Sequence, residues 1–193
     1  MHARASESGA GRDDWRVKRA AACLAAGGVV VHATEAVFGV AASAGLETAC
    51  ARVVALKRRP RDKPFIVLVG RLEQLAALVS LETPFLDEML QSWPGPHTWI
   101  LPASPHCPPW LYDRSGRLAV RVTAHAQAAQ LCEHAGPLIS TSANPPKAPP
   151  ARTLFAARRY FGAAVDAYLP GTLGGARRPS TLRDAATGRI LRA

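Results

Sequence analysis

Five short apolar runs constrain this chain more than any other feature: VVVHA at 29–33, FIVLV at 65–69, HTWILPA at 97–103, RLAVRV at 117–122 and PLISTSA at 137–143. Each is five to seven residues long and bounded by Gly, Pro or charged residues, the length and punctuation of buried strands. None approaches the ~20 apolar residues needed to span a bilayer as a helix. Longer segments lie between them. In DDWRVKRAAACLAAGG, Val17, Ala20, Ala21 and Leu24 share one helical face, Asp13 or Asp14 can cap the start, and Gly27 can stop the end. LETACARVVALKRR reads as a second helix, with Val53, Val54 and Leu56 facing the core. RLEQLAALVS, PFLDEMLQSW, AHAQAAQLCEHAG and RTLFAARRYFG read as four more. STLRD and RILRA, joined by AATG, read as a terminal hairpin. Strands and helices alternate without strict βαβ order. The expected fold class is therefore α/β, a single domain with a mixed parallel/antiparallel sheet flanked by helices. It spans residues 14–193 and follows a flexible tail at 1–13, where MHARASESGAGRDD is small, polar and unlike a secretory signal.

The formal charge of +10 favours anionic partners, but the abundance of Arg and Ala reflects a compositional bias that explains part of it. The position of the charge is more informative. LKRRPRDKP concentrates five cations between Lys57 and Lys63. A helix dipole accounts for one or two cations at its C-terminus, at about 0.3–1 kcal/mol each. The remainder repel one another unless an anion gathers them, and forked Arg donors suit phosphate and carboxylate oxygens. LISTSANPP sets Ser140, Thr141, Ser142 and Asn144 directly after an apolar strand, and HATEAVFG sets Thr34 and Glu35 after another. Either stretch alone reads as an ordinary polar turn, and Glu35 equally as a cap. Arg121 lies inside a strand between two valines and needs a partner if buried.

Neither Gly-rich nucleotide fingerprint occurs, and neither does a G-x-S-x-G elbow. The six histidines and four cysteines show no metal-ligand spacing, so no protein-held metal is expected. The thiols read as buried and reduced, as in a cytoplasmic protein. Fixed cations, hydroxyls and an amide without an obvious protein nucleophile suit a reaction whose substrate brings its own nucleophile. Phosphoryl or nucleotidyl transfer fits.

Taken in order, HATEAVFGV, LKRRPRDKP, WPGPHTWILPA, LAVRV, ISTSAN and RRPSTLRD resemble the YrdC/TsaC family of threonylcarbamoyl-AMP synthases, in a short bacterial form. The resemblance implies a YrdC-like twisted sheet around a basic concave surface. It also implies a nucleotidyltransferase that converts L-threonine, bicarbonate and ATP to threonylcarbamoyl-adenylate and pyrophosphate. A downstream threonylcarbamoyl-transferase complex would then modify an adenosine of tRNA. The family's K-x-R and S-x-N signatures fall on Lys57, Arg59, Ser142 and Asn144, which would be catalytic. Those four, with Lys63 and Arg192, would bind ATP. Thr34, Arg121, Ser140 and Ser180 would bind threonine, with Arg121 on its carboxylate. Magnesium would be held mainly by phosphate oxygens and water. The sequence departs from the family at His32, where an aromatic or apolar residue is expected, and at Ala33, where Pro is usual. It departs again at His97 and in PPKAP after Asn144. The competing expectation is a non-catalytic RNA-binding or ribosome-maturation factor using the same basic cavity. A phosphate-tracking binder of that kind would show steep salt dependence.

Overall fold

The structure is a computed structural model that describes residues 7–58 and 65–192, with side chains from Asp14 onward. Its elements are α1 (Glu7–Ala25), β1 (Val30–Ala33), β2 (Phe38–Ser43), α2 (Glu47–Lys57), β3 (Ile66–Val69), α3 (Leu86–Gln91), β4 (His97–Pro102), β5 (Arg117–Val122), α4 (Ala126–Ala135), β6 (Leu138–Ser142), α5 (Leu154–Phe161), β7 (Ala167–Tyr168), β8 (Thr181–Asp184) and β9 (Ile190–Arg192). The strands form one mixed sheet in the order β7-β1-β2-β6-β3-β5-β4-β8-β9. Pairs β1/β7, β3/β5 and β4/β8 are parallel and the rest antiparallel.

The period-two alternation of strand side chains divides the labour of this sheet. One face carries Val31, Val40, Val67, Val120, Trp99 and Ile139 into the main core, against Ala49, Cys50 and Val53 of α2. The opposite face carries Val30, Ala41, Leu68 and Leu138, covered by Val17, Ala20, Ala21 and Leu24 of α1 and by Leu131 and Cys132 of α4. The helical face expected for α1 is thus the one that packs. The two helices cover only part of this second face. Beyond them it continues through Gly39, Ile66, Ile100, Ala119, Arg121, Ser140 and Ser142, which line a cavity instead of a helix. Small and polar residues stand beside Ile66 and Ile100 there, where neither α1 nor α4 packs.

Several elements differ from the sequence reading. Strand β2 was not expected: FGVAAS has one aromatic and one β-branched residue, yet strands on both sides bury it almost completely. The two-residue β7 was not expected either. RLEQLAALVS forms a single 3-10 turn at Leu72–Leu75 in place of a helix. Its backbone is drawn to the edge of β4, where Val79 bridges Ala103, Ser80 N–H reaches the Pro102 carbonyl and Leu78 accepts from Ser104. Helix α1 begins at Glu7, ahead of the expected cap at Asp13 or Asp14. Helix α2 stops at Lys57 because Arg58 turns left-handed, with φ 44°. Val54 and Leu56 are only partly buried beside it. Of the thiols, Cys50, Cys107 and Cys132 are buried and Cys23 is half-buried. No helix among the described residues is long and apolar enough to cross a membrane.

Candidate active site

The uncovered part of the sheet face closes into a cavity of about 400 Å³. Strand β6 supplies Ser140 and Ser142 to its floor, and β5 supplies Ala119 and Arg121, each pair at the i, i+2 spacing that returns a side chain to the same face. The loop after β1 supplies Thr34 and Glu35. The segment 172–180 passes over that loop, with Gly174 N–H on the Thr34 carbonyl and Ala176 N–H on the Glu35 carbonyl. It brings Arg178, Pro179 and Ser180 to the cavity wall, and Arg192 of β9 completes it. Six residues expected at a ligand site from sequence therefore surround one space: Thr34, Arg121, Ser140, Ser142, Ser180 and Arg192.

Arg121 is buried, and its partner is Glu35, with Nη2 3.4 Å from Oε2. Glu35 also accepts from the Thr123 hydroxyl at 2.7 Å and from Ala124 N–H at 3.2 Å. Burial pushes the Glu35 carboxyl up, but Arg121 and these donors outweigh it and hold its pKa below the usual carboxylate value. Burial lowers the pKa of Arg121 against the pull of Glu35, and a guanidinium still stays protonated at neutral pH. The result is an ion pair at the cavity floor. Among the described residues, Arg121 Nε and Glu35 Oε2 find no hydrogen-bond partner. A buried donor left over beside a cavity is a place for an acceptor. Glu35 is thus neither a bland turn residue nor a helix cap. The signal that could have found it was the need of a strand Arg for a counter-charge.

The other expected groups are held in order by neighbours. Thr34 donates its hydroxyl to the Val37 carbonyl at 2.7 Å, leaving its lone pairs open. Ser180 receives the Thr98 hydroxyl at 3.0 Å and Arg192 Nη2 at 3.2 Å, and Arg192 also holds the Ser180 carbonyl. Arg192 therefore positions Ser180 as well as lining the cavity. Lys57 lies behind the turn after β6. Its ammonium donates to the Ser142 carbonyl at 2.5 Å, to Asn144 Oδ1 at 3.1 Å and to the Asn144 carbonyl. Ser142 Oγ donates to the same Oδ1 at 2.6 Å, and Asn144 Nδ2 holds the following loop through the carbonyls of Pro145 and Ala148. Lys57, Ser142 and Asn144 are thus one hydrogen-bonded unit joining α2 to the cavity rim. The changed PPKAP loop is pinned by Asn144 in this arrangement. Arg59 and Lys63 lie outside the described residues. Among the described residues no group of three or more His, Cys, Asp or Glu side chains could hold a metal ion.

A mixed α/β sheet with an ion pair and hydroxyls at a half-bare face defines a binding domain for a small, charged, hydrogen-bonding ligand. The family model Sua5_yciO_yrdC, described as telomere recombination, matches residues 22–193, and the chain belongs to that family. The threonylcarbamoyl-AMP synthase of Halorhodospira halophila is 46% identical over 184 residues, 94% of this chain and 96% of that one. The crystal structure of P. abyssi Sua5 complexed with L-threonine matches with TM-score 0.79 and 33% identity, over 89% of this chain and 51% of that one. This chain therefore spans about half of that solved protein. E. coli YciO matches at TM-score 0.82 and 21% identity, over 93% and 89% of the two chains, a likeness of fold.

Proposed function

We infer that this protein is a threonylcarbamoyl-AMP synthase, a nucleotidyltransferase that joins L-threonine, bicarbonate and ATP into threonylcarbamoyl-adenylate with release of pyrophosphate. The observation that carries this reading is the convergence of Thr34, Arg121, Ser140, Ser142, Ser180 and Arg192 on one cavity. The likeness along nearly the whole chain to the H. halophila synthase supports it.

In this account the threonine carboxylate docks on Arg121. The guanidinium is already charged and its Nε has no partner among the described residues, so binding supplies the acceptor it lacks. Glu35 holds the guanidinium in place from behind. Thr34, Ser140 and Ser180 receive the amino acid's nitrogen and hydroxyl. The threonine nitrogen condenses with bicarbonate to a carbamate with loss of water, and a carbamate oxygen then attacks the α-phosphorus of ATP as pyrophosphate leaves. The protein need not supply a nucleophile. Its work is to align two anions that repel one another and to neutralise charge as it shifts to the leaving group.

Ser142, Asn144 and Arg192 take the nucleotide side, with Lys57, Arg59 and Lys63 as the cations for the phosphates. Lys57 also braces the turn that presents Ser142, so its role is both electrostatic and positional. Magnesium suits the triphosphate. Among the described residues Glu35 is the one carboxylate lining the cavity and it is committed to Arg121, so the ion would be carried by phosphate oxygens and water. The product would pass to a threonylcarbamoyl-transferase complex acting on tRNA in the cytoplasm. The test is threonine-dependent pyrophosphate release by Lys57→Ala and Arg59→Ala. A loss of about 10²-fold or more in each is expected from removing a preorganised cation, and full activity in both would reject the assignment.

A further inference from the structure

His32 is an unused group directly behind the cavity floor, against Ser140. It lies on β1, on the sheet face shared by the α1/α4 cluster and the cavity, and it is fully buried. Its Nδ1 is 3.0 Å from the carbonyl of Ala33. A carbonyl only accepts, so Nδ1 carries a proton. Its Nε2 is 3.4 Å from Ser140 Oγ. Burial, with His125 and then Arg121 adding to it, holds the imidazole pKa down at about 4, against opposing pulls from the Ala33 carbonyl and Glu35. At neutral pH the ring is therefore uncharged and Nε2 is bare. The β2 backbone passes close to both members of this pair, since a Cβ at Gly39 would sit 2.9 Å from Ser140 Oγ and 3.1 Å from His32 Nε2.

A serine hydroxyl has one proton. If His32 Nε2 takes it, only the oxygen's lone pairs remain for the cavity. We propose that His32 is a positioning residue that fixes the Ser140 hydroxyl as an acceptor, so that this subsite takes an N–H or O–H donor of the amino acid and refuses its carboxylate. Arg121, on the same floor, is then the carboxylate's only matched partner among the lining residues described on β5 and β6, and the two together set which way round the amino acid lies. The proposal deepens the threonine reading above and rests on it.

The test combines kinetics with a direct view of the ring. His32→Phe, Ser140→Ala and the double variant are assayed with varied L-threonine and varied ATP. Each single variant is expected to raise KM for threonine about tenfold, the size of one lost hydrogen bond, while KM for ATP stays within about twofold. The double variant is expected to be no worse than Ser140→Ala, because both changes remove the same contact. An unchanged threonine KM in His32→Phe, or effects that multiply in the double variant, would overturn the proposal. Histidine 15N resonances of the wild-type protein provide the second readout and need no His32 variant. A protonated Nδ1 and a bare Nε2 whose signal moves in Ser140→Ala support the assignment, and the opposite tautomer refutes it. If the wild type releases no pyrophosphate with threonine, the functional reading has failed, and the 15N spectra still decide the His32–Ser140 contact.

Discussion

At the scale of single residues, two buried groups make the account quantitative. Glu35 neutralises Arg121 where water is scarce, so removing it leaves a buried cation unpaired. Breaking a buried pair in this way costs about 3–5 kcal/mol. Glu35→Gln is therefore expected to lower unfolding free energy by roughly the lower end of that range, read by urea denaturation, and to weaken threonine binding as Arg121 loses its support. A variant as stable as the wild type would mean the pair is not closed in solution. His32 gives a pH dependence with a definite sign. Its pKa falls from 6.5 to about 4 on folding. The unfolded chain binds more protons between those values, so stability rises with pH across the window. The contribution is complete above about pH 6.5 and is lost as pH falls towards 4, by about 3 kcal/mol. Glu35, Arg121 and His125 also face this ring. The informative quantity is thus the difference between wild type and His32→Phe, which should narrow or reverse on acidification in favour of the variant. Parallel pH–stability curves would contradict it.

At the scale of elements, the left-handed Arg58 and the bare Gly39 make opposite predictions. Arg58 ends α2 at φ 44°, a conformation that costs a side-chain-bearing residue roughly 1 kcal/mol and glycine almost nothing. Arg58→Gly should therefore stabilise the protein by up to about 1 kcal/mol in thermal or urea unfolding, and a clear loss would show that its side chain has a structural partner. Gly39→Ala should do the reverse, since its Cβ would push Ser140 and His32 apart. About 1–3 kcal/mol of overpacking and a raised KM for threonine are expected. The same elements show what a sequence can reveal. Strands with a dense apolar run, such as IVLV of β3, announce themselves because their burial on both faces is written in their side chains. Strand β2 does not. Its Gly39 and Ala41 are small because Ser140, His32 and α1 leave little room on that face, while Ala42 packs into the main core on the other, and nothing local says so. RLEQLAALVS has helical spacing, and only the distant edge of β4 diverts it.

At the scale of the molecule, the sheet is used asymmetrically. One face builds the main core, while helices α1 and α4 cover part of the other and leave the rest as the cavity. The polar residues of that cavity come from β5, β6, β9 and two loops, separated by as many as 158 positions between Thr34 and Arg192. Their individual motifs were visible in the chain, but their convergence was visible only through the family resemblance, because spacing along a sequence does not encode a distance across a mixed sheet. The Glu35–Arg121 pair spans 86 positions and the His32–Ser140 contact 108, and neither had a local signature. Folding thus makes one continuous floor from residues that, read singly, are polar turns and a lone strand arginine.

The most direct test is whether this cavity makes a mixed anhydride from threonine. Purified wild-type protein with ATP, magnesium, L-threonine and bicarbonate should release pyrophosphate only when threonine is present. Mass spectrometry of the same mixture should find threonylcarbamoyl-adenylate. Pyrophosphate that does not depend on threonine, or no adenylate under conditions where an authentic synthase makes it, would contradict the assignment.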